Sequence, residues 1–280
     1  MREWSMLSKE LKLDFEALLS QLINGKGYLH YGVWDGLDPE NACLADVGRA
    51  QQQYFDMLVE HLPPAPARIL DVGSGTGANA AELLSLGYQV ECICPSPRLN
   101  ALARTKLGDR VIIHETTFED FEPSSKFDAV IFAESFHYIR LSEAVDKIQS
   151  LSPDRIVIFD YFHRHGPASQ SDRTRQSVSA VMGVLESELI AYRQVTFRDL
   201  TYSVIPTFDV LSRLNRNHVT PFINQLKAFV QKSRPLTGWF INRILDRVYP
   251  AASEASVESR SSRFAREYEY RLIALIREKL

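Results

Sequence analysis

The sequence predicts an α/β protein with a doubly wound, mostly parallel sheet and helical cap insertions. Between residues 68 and 162, short apolar runs alternate with segments of helical periodicity. Strands that alternate with helices imply right-handed crossovers and a parallel sheet. The runs AVIF and RIVIF are apolar on both faces, as expected when helices cover both sides of a sheet. With 280 residues, of which 45% are hydrophobic, the chain can bury this sheet in one large domain.

The N-terminal part, residues 1–62, is predicted to form two helices joined by an aromatic loop. Apolar residues recur at helical spacing over 5–23, and residues 42–61 are again helical in pattern. Between them lies GKGYLHYGVWDG, in which glycines crowd among aromatic residues. We expect 25–36 to be a lid that is mobile without ligand and ordered over it. The alternative is that these aromatic side chains are ordinary core residues.

The core occupies residues 63–165 and the cap with the final strands occupies 166–280. Core strands are expected in RILDV, YQVECICP, RVIIHETT, FDAVIFAES and DRIVIFDYF, and the helices between them in NAAELLSLG, PRLNALARTKLG and SEAVDKIQSLS. In the cap, SAVMGVLESELIA predicts a helix and the alternating segment YRQVTFRDLTYSV a sixth strand. Helical, Arg-rich sequence then fills about 207–248, and YEYRLIALI predicts the last strand.

Charge and cysteine content indicate which class of substrate and which cellular location to expect. The formal net charge of −3 offers no basic field for a phosphate backbone, so we expect a small-molecule substrate and no nucleic acid. Cys43, Cys92 and Cys94 are too few for a disulfide scaffold, which favours a cytoplasmic location. No apolar stretch resembles a signal peptide or a membrane span. The oligomeric state is left open.

The strongest chemical signal is the run Asp71-Val72-Gly73-Ser74-Gly75-Thr76-Gly77, between the first strand and a helix. Glycines let the backbone approach a ligand closely, and a helix N-terminus presents unpaired N–H groups. Gly73, Gly75 and Ala78 also fit the dinucleotide fingerprint, so an NAD(P)-linked oxidoreductase is an alternative. Such an enzyme should carry an acidic ribose ligand about 20 residues later, and only Glu91, inside a strand, lies near that distance.

The acidic residue before the first glycine, and the two helices before the first strand, make this region resemble class I S-adenosylmethionine-dependent methyltransferases. The resemblance spans about 25–162. It implies a Rossmann-like sheet with a last antiparallel strand and S-adenosylmethionine as cofactor. The aromatic stretch 27–35 and the turn Glu134-Ser135-Phe136-His137 are similar to a small-molecule branch, the cyclopropane fatty acid synthases and tocopherol methyltransferases. A non-catalytic S-adenosylmethionine-binding partner protein is a further alternative.

The resemblance also implies the cofactor contacts. Residues matching those contacts are Tyr31, Asp71, Gly73, Ser74, Gly75, Gly77, Cys94, Pro95, Ser96, Thr117, Phe118 and Glu134. Cys94 stands where the family usually carries the carboxylate that binds the ribose hydroxyls, so backbone groups or Ser96 are expected to replace it. Thr117 is expected to accept a hydrogen bond from adenine, and the Phe118 ring to pack on it.

The catalytic candidates lie at the ends of the fourth and fifth strands. His137, His163 and Glu134 are expected to take part in catalysis, and Tyr28, His137 and Tyr161 to bind substrate. In the cyclopropane enzymes a glutamate occupies the place of His137, and its replacement favours plain methyl transfer to oxygen, nitrogen or carbon. No metal is expected, because no compact ligand spacing is present.

Overall fold

The computed structural model describes residues 20–21, 25–165, 176–233, 238–239, 241–243, 246 and 259–278. The helix predicted over 5–23 therefore lies almost wholly outside the described residues. The helix predicted over 42–61 is confirmed as α1, Leu44–Val59. No helix in the described ranges is both long and apolar enough to span a membrane.

Seven strands form one sheet. Their bounds are β1 Arg68–Val72, β2 Gln89–Ile93, β3 Ile112–His114, β4 Ala129–Ala133, β5 Arg155–His163, β6 Tyr192–Asp199 and β7 Tyr268–Arg277. They lie in the order β3-β2-β1-β4-β5-β7-β6. Strands β1 to β5 pair in parallel, and β7 pairs antiparallel with both β5 and β6. The predicted fold class, including the antiparallel last strand, is confirmed.

The remaining helices follow the predicted rhythm. They are α2 Ala78–Ser85, α3 Pro97–Leu107, α4 Leu141–Leu151, α5 Val178–Glu188, α6 Thr201–Leu214, α7 Thr220–Ser233 and α8 Arg260–Glu267. The largest difference from the expected boundaries is at β6, which ends at Asp199 with α6 beginning at Thr201, whereas the alternating pattern extended the strand to Val204. The Asp199 carboxylate accepts hydrogen bonds from the backbone N–H and the hydroxyl of Thr201, which turns the chain out of the sheet.

Apolar side chains cover both faces of the sheet. Along β1, Ile69 and Asp71 face the side covered by α1, α2 and α3, while Leu70 and Val72 face α4 and α5. Leu70 is fully buried, which stabilises the fold by about 1.5–3 kcal/mol relative to exposure. The alternation therefore directs Asp71, a carboxylate, into an apolar layer at the carboxyl end of β1.

Candidate active site

The glycine loop follows β1 and leads into α2. Gly73 and Gly77 both have positive φ, 75° and 73°, a conformation that favours glycine. A Cβ on Gly73 would lie 2.4 Å from the Cβ of Ser135, and one on Gly77 would lie 2.7 Å from Cδ1 of Leu107. The backbone conformation and the close packing therefore both require glycine at these two positions. The loop packs tightly against the turn after β4 and against α3.

Asp71 is buried at the base of this loop. It is 1% exposed, and neither carboxylate oxygen has a hydrogen-bond partner among the described residues. Burial alone raises the pKa of Asp71 to about 7. Buried polar groups are almost always paired, so an unpaired carboxylate beside a glycine loop indicates a place for a ligand that donates hydrogen bonds.

The aromatic segment 25–36 lies over the glycine loop. The Thr76 hydroxyl donates to the carbonyl oxygen of Gly27 at 2.6 Å, and the amide of Gln51 on α1 donates to the carbonyl of His30 at 2.7 Å. Leu29 Cδ1 would lie 3.2 Å from a Cβ on Gly75. The segment therefore covers the loop as the lid prediction requires, while its mobility without ligand stays a prediction.

Several lid side chains are also core residues. Tyr28, His30 and Trp34 are 1%, 6% and 6% exposed. The Tyr28 ring lies 4.6 Å from that of His30 and 6.2 Å from that of Phe55, between ring centroids. Burial lowers the pKa of His30 to about 4. Tyr28 thus packs in the core beside α1, and its predicted contact with substrate stays a prediction.

Cys94 follows β2 at the predicted ribose position. Its side chain is buried, and burial raises the pKa of the thiol, although backbone N–H groups of Ser96 and Gly75 point towards the sulfur. Ser96 caps α3, since its hydroxyl oxygen accepts from Leu99 N at 3.3 Å, while Pro95 is exposed. A ribose contact through Ser96 stays a prediction.

Thr117 and Phe118, the predicted adenine contacts, each have a partner within the protein. The Thr117 hydroxyl donates to Asp120 Oδ2 at 2.9 Å and accepts from the Asp120 backbone N–H at 3.3 Å. The Phe118 ring is buried, edge-on to Phe132 with 5.2 Å between centroids. The ring of Phe118 therefore packs in the core against Phe132, and its predicted contact with adenine stays a prediction.

Glu134 joins the lid to the last strand. Its carboxylate Oε1 accepts from Tyr31 N at 2.7 Å and from the Tyr270 hydroxyl at 2.5 Å. Burial raises the pKa of Glu134 to about 8, although these two hydrogen bonds act in the opposite direction and lower it. Its φ of 57° is strained for a residue with a side chain, which is typical of functional sites. The sequence predicted Glu134 and Tyr31 as site residues. It did not predict Tyr270, which lies more than 130 positions after Glu134 in the chain.

His137 forms a hydrogen-bonded dyad with Asp160. Nδ1 of His137 lies 2.8 Å from Asp160 Oδ1, and the backbone N–H of His137 donates to Asp160 Oδ2 at 3.1 Å. His137 is 5% exposed and Asp160 is fully buried. Sequence reasoning found His137 and missed Asp160, although a lone acidic residue within the apolar strand RIVIFDYF was a usable signal.

Five aromatic rings line the same edge of the sheet, and we call them the aromatic wall. They come from the lid, β5, α6, α8 and β7, and neighbouring ring centroids lie 4.6–6.2 Å apart. The wall consists of Tyr31, Tyr161, Phe208, Phe264 and Tyr268. It begins beside the dyad, because the His137 ring lies 4.3 Å from that of Tyr161.

His163 lies at the far end of the aromatic wall. Its ring is 4.6 Å from that of Tyr268, and its backbone N–H donates to the carbonyl of Gln176 at 3.2 Å. Its predicted catalytic role stays a prediction. The described part of the chain contains no group of three or more His, Cys, Asp or Glu side chains placed to hold a metal ion.

Comparison with known proteins places this geometry in a family. The sequence model of a methyltransferase domain matches residues 47–184. An uncharacterized methyltransferase of Geobacillus sp. (strain WCH70) is 30% identical over 184 residues, which cover 63% of this chain and 81% of the relative.

Two solved structures are similar in fold. Geranyl diphosphate C-methyltransferase from Streptomyces coelicolor A3(2), in complex with Mg²⁺, geranyl-S-thiolodiphosphate and S-adenosyl-L-homocysteine, has a TM-score of 0.65 at 18% identity, over 94% of this chain and 92% of its own. A cyclopropane synthase from Mycobacterium tuberculosis has a TM-score of 0.63 at 11% identity, over 91% and 92%.

The sheet order, the glycine loop and the carboxylate beneath it define a cofactor-binding enzyme of the Rossmann-like class. The chain belongs to the methyltransferase family. This membership confirms the predicted class I methyltransferase and its cofactor, S-adenosylmethionine, and sets the oxidoreductase alternative aside.

Proposed function

We propose that the protein transfers the methyl group of S-adenosylmethionine to a hydroxyl or amine of a small molecule held against the aromatic wall. The observation that carries this proposal is the His137–Asp160 dyad, a buried histidine paired with a buried carboxylate at the carboxyl edge of the sheet. Parallel sheets hold ligands at that edge. A proton acceptor there is of use only for a nucleophile that must lose a proton.

The residues around the glycine loop fit the amino acid part of the cofactor. The ammonium group of that part would supply Asp71 with the donors it lacks, and the loop backbone would lie against the chain of the ligand. When bound, the cofactor supplies an activated methyl group. The protein then has to place the nucleophile in line and exclude water, and the lid over Gly75 serves the second task.

The aromatic wall supports an acceptor with an apolar or aromatic body. Tyr31, Tyr161, Phe208 and Tyr268 are only partly buried, so part of each residue remains exposed. Aromatic rings favour offset or edge contacts with other rings and with apolar groups. The formal net charge of −3 supports a small molecule over a nucleic acid. Three unpaired cysteines support a cytoplasmic setting.

Titration and turnover test this proposal together. Calorimetry with S-adenosylhomocysteine and with NADH should give binding of the first alone. Incubation with methyl-labelled S-adenosylmethionine and the probes catechol, 4-hydroxybenzoate and phenethylamine should transfer label to a hydroxyl or amine. Asp71→Asn should weaken S-adenosylhomocysteine binding at neutral pH, while the exposed Asp109→Asn should not. Binding of NADH, or label found only on carbon, would overturn the proposal.

A further inference from the structure

We propose that Tyr161 is the residue that takes the proton from the acceptor, and that it passes its own proton to His137. This inference rests on the function proposed above and adds a catalytic residue to it. The sequence pointed to Tyr161 as a substrate contact and to His137 as a catalytic residue. The hydrogen bonds of the site give the two residues different tasks.

His137 has no ring nitrogen left for a substrate. Nδ1 faces Asp160 Oδ1 at 2.8 Å, and Nε2 lies 3.1 Å from the Tyr161 hydroxyl. An ionised carboxylate only accepts hydrogen bonds, so Nδ1 carries the proton in the neutral ring and Nε2 is the acceptor. The Tyr161 hydroxyl therefore donates to Nε2. Because His137 is only 5% exposed, the route from its Nε2 to the aromatic wall leads through Tyr161.

Asp160 fixes both partners of this bond. Its carboxylate accepts from the backbone N–H of His137 at 3.1 Å and from the backbone N–H of Tyr161 at 2.8 Å, besides the imidazole. One fully buried carboxylate thus sets the tautomer of His137 and the backbone position of Tyr161. Asp160 is a positioning residue, since it touches His137 and not the acceptor.

The Tyr161 oxygen can serve as a relay. While its proton is donated to Nε2, the Tyr161 oxygen can still accept a hydrogen bond, and its ring belongs to the aromatic wall. Ring contacts with Phe264 at 5.8 Å and Tyr268 at 5.5 Å hold the ring in place. A held hydroxyl between a base and a ligand is the arrangement needed for a proton relay.

Methyl transfer by this route moves two protons. The O–H bond of a hydroxyl acceptor, or one N–H bond of an amine acceptor in its ammonium form, breaks and its proton goes to the Tyr161 oxygen, while the Tyr161 proton goes to Nε2 of His137. The electron pair left on the acceptor forms the bond to the transferred methyl carbon. The carbon–sulfur bond breaks, and sulfur keeps its electron pair. The site ends with an imidazolium next to the Asp160 carboxylate, and that proton leaves to water when the product departs.

Several other titratable groups face this hydrogen-bond chain, among them Tyr54 and Tyr270, which both interact electrostatically with Asp160. Glu134 at the end of β4 and Tyr31 of the lid interact electrostatically with Asp160. The Tyr138 ring, from the turn after β4, lies 3.9 Å from the His137 ring. A pH profile of the relay therefore has to be read against a Glu134→Gln background as well as the wild type.

Kinetics of Tyr161→Phe separate the relay from direct catalysis by His137. If Tyr161 relays the proton, Tyr161→Phe and His137→Ala each lower kcat by about 10²–10⁴-fold with the probe that the wild type methylates, and the double variant is no slower than either. If His137 acts directly, Tyr161→Phe frees Nε2 and kcat stays or rises, which would overturn the relay. Tyr202→Phe, an exposed tyrosine on α6, is the matched control. S-adenosylhomocysteine affinity should be unchanged in all of them.

A spectroscopic measurement tests the hydrogen-bond chain without any acceptor. With ¹⁵N-labelled histidine, His137 should show a protonated Nδ1 and an accepting Nε2 at neutral pH. Tyr161→Phe should move the Nε2 resonance, and Asp160→Asn should change the tautomer. A protonated Nε2 in the wild type, or an Nε2 resonance that Tyr161→Phe leaves in place, would overturn the relay. Failure of the proposed function looks different, since the wild type would then bind NADH or carry the label only on carbon.

Discussion

Asp71 is deeply buried and has no hydrogen-bond partner among the described residues, and its protonation should change when the cofactor binds. Burial raises its pKa to about 7, so near pH 6.5 much of the free protein carries a proton there. An ammonium ligand favours the carboxylate and lowers that pKa. Binding of S-adenosylhomocysteine near pH 6.5 should therefore release a fraction of a proton, and affinity should rise as the pH rises from about 5 to 7.

Calorimetry in two buffers with different ionisation enthalpies measures the released proton. Asp71→Asn should bind with no proton release and with an affinity that does not follow pH in this range. Asp109→Asn, at an exposed turn, serves as the control. Equal proton release in Asp71→Asn and the wild type would show that another group titrates.

Glu134 should make the free protein less stable at alkaline pH. Its pKa is raised from 4.5 to about 8 in the folded protein, so the folded state binds the proton more tightly than the unfolded state. That contribution to the free energy of unfolding is full below pH 4.5 and is lost as the pH rises to about 8. Glu134→Gln should remove this loss, and the variant should gain stability relative to the wild type at pH 8.5 more than at pH 5.

Urea unfolding at the two pH values measures the difference, with the exposed Glu186→Gln as control. If the wild type and Glu134→Gln lose stability in parallel, the raised pKa of Glu134 is not the cause.

At the scale of elements, Thr207 ties helix α6 to the lid. Its hydroxyl oxygen accepts from Gly32 N at 3.1 Å and from the Trp34 indole N–H at 2.8 Å. Thr207→Val would leave both donors without a partner in a buried place, at about 1–3 kcal/mol. Backbone hydrogen exchange over residues 31–34 should speed up about tenfold or more, since this tie holds the lid down.

The matched control is Thr105→Val, whose hydroxyl bonds only within α3. The same experiment on the wild type tests lid mobility: residues 25–36 should gain protection when S-adenosylhomocysteine binds. Unchanged exchange in Thr207→Val would show that the lid is held by its buried aromatic side chains alone.

Secondary-structure elements could be predicted from neighbouring residues in the sequence, whereas contacts between residues far apart in the sequence could not. The strand and helix alternation, the glycine loop and the last strand each follow from residues within one short window. The Thr117–Asp120 turn was within reach too, because a hydroxyl three residues before an acid commonly closes such a turn. The predicted stacking of Phe118 came from alignment with the family, whereas the core packing of its ring depends on Phe132 of a different strand.

The dyad shows why the site was only half predicted. His137 and Asp160 meet because β4 and β5 pair in parallel with Ala133 opposite Phe159, a register that the apolar strands do not encode residue by residue. Tyr270 lies far from Glu134 in sequence and meets it only because β7 pairs antiparallel with β5. Thr207 likewise meets Trp34 only because α6 packs back against the lid.

At the scale of the whole molecule, the sheet depends on β7. It pairs with β5 on one side and β6 on the other, and its Tyr270 holds Glu134. A chain cut after residue 258 lacks α8 and β7, and should lose cooperative unfolding and S-adenosylhomocysteine binding. A chain cut after residue 278 keeps both elements and is the control. Near-ultraviolet circular dichroism and calorimetry measure the outcome, and a cooperatively folded short chain would contradict it.

The position of β7 also bears on how the protein is made. A ribosome delivers β6, which ends at Asp199, well before β7, which begins at Tyr268, and at about 5–20 residues per second that delay lasts several seconds. Throughout it, the edge of β5 that β7 later covers is open, and β6 lacks the one strand it pairs with in the described sheet. The nascent chain therefore offers an unpaired apolar edge to its neighbours on the polysome, and chaperone supply during synthesis should govern its yield.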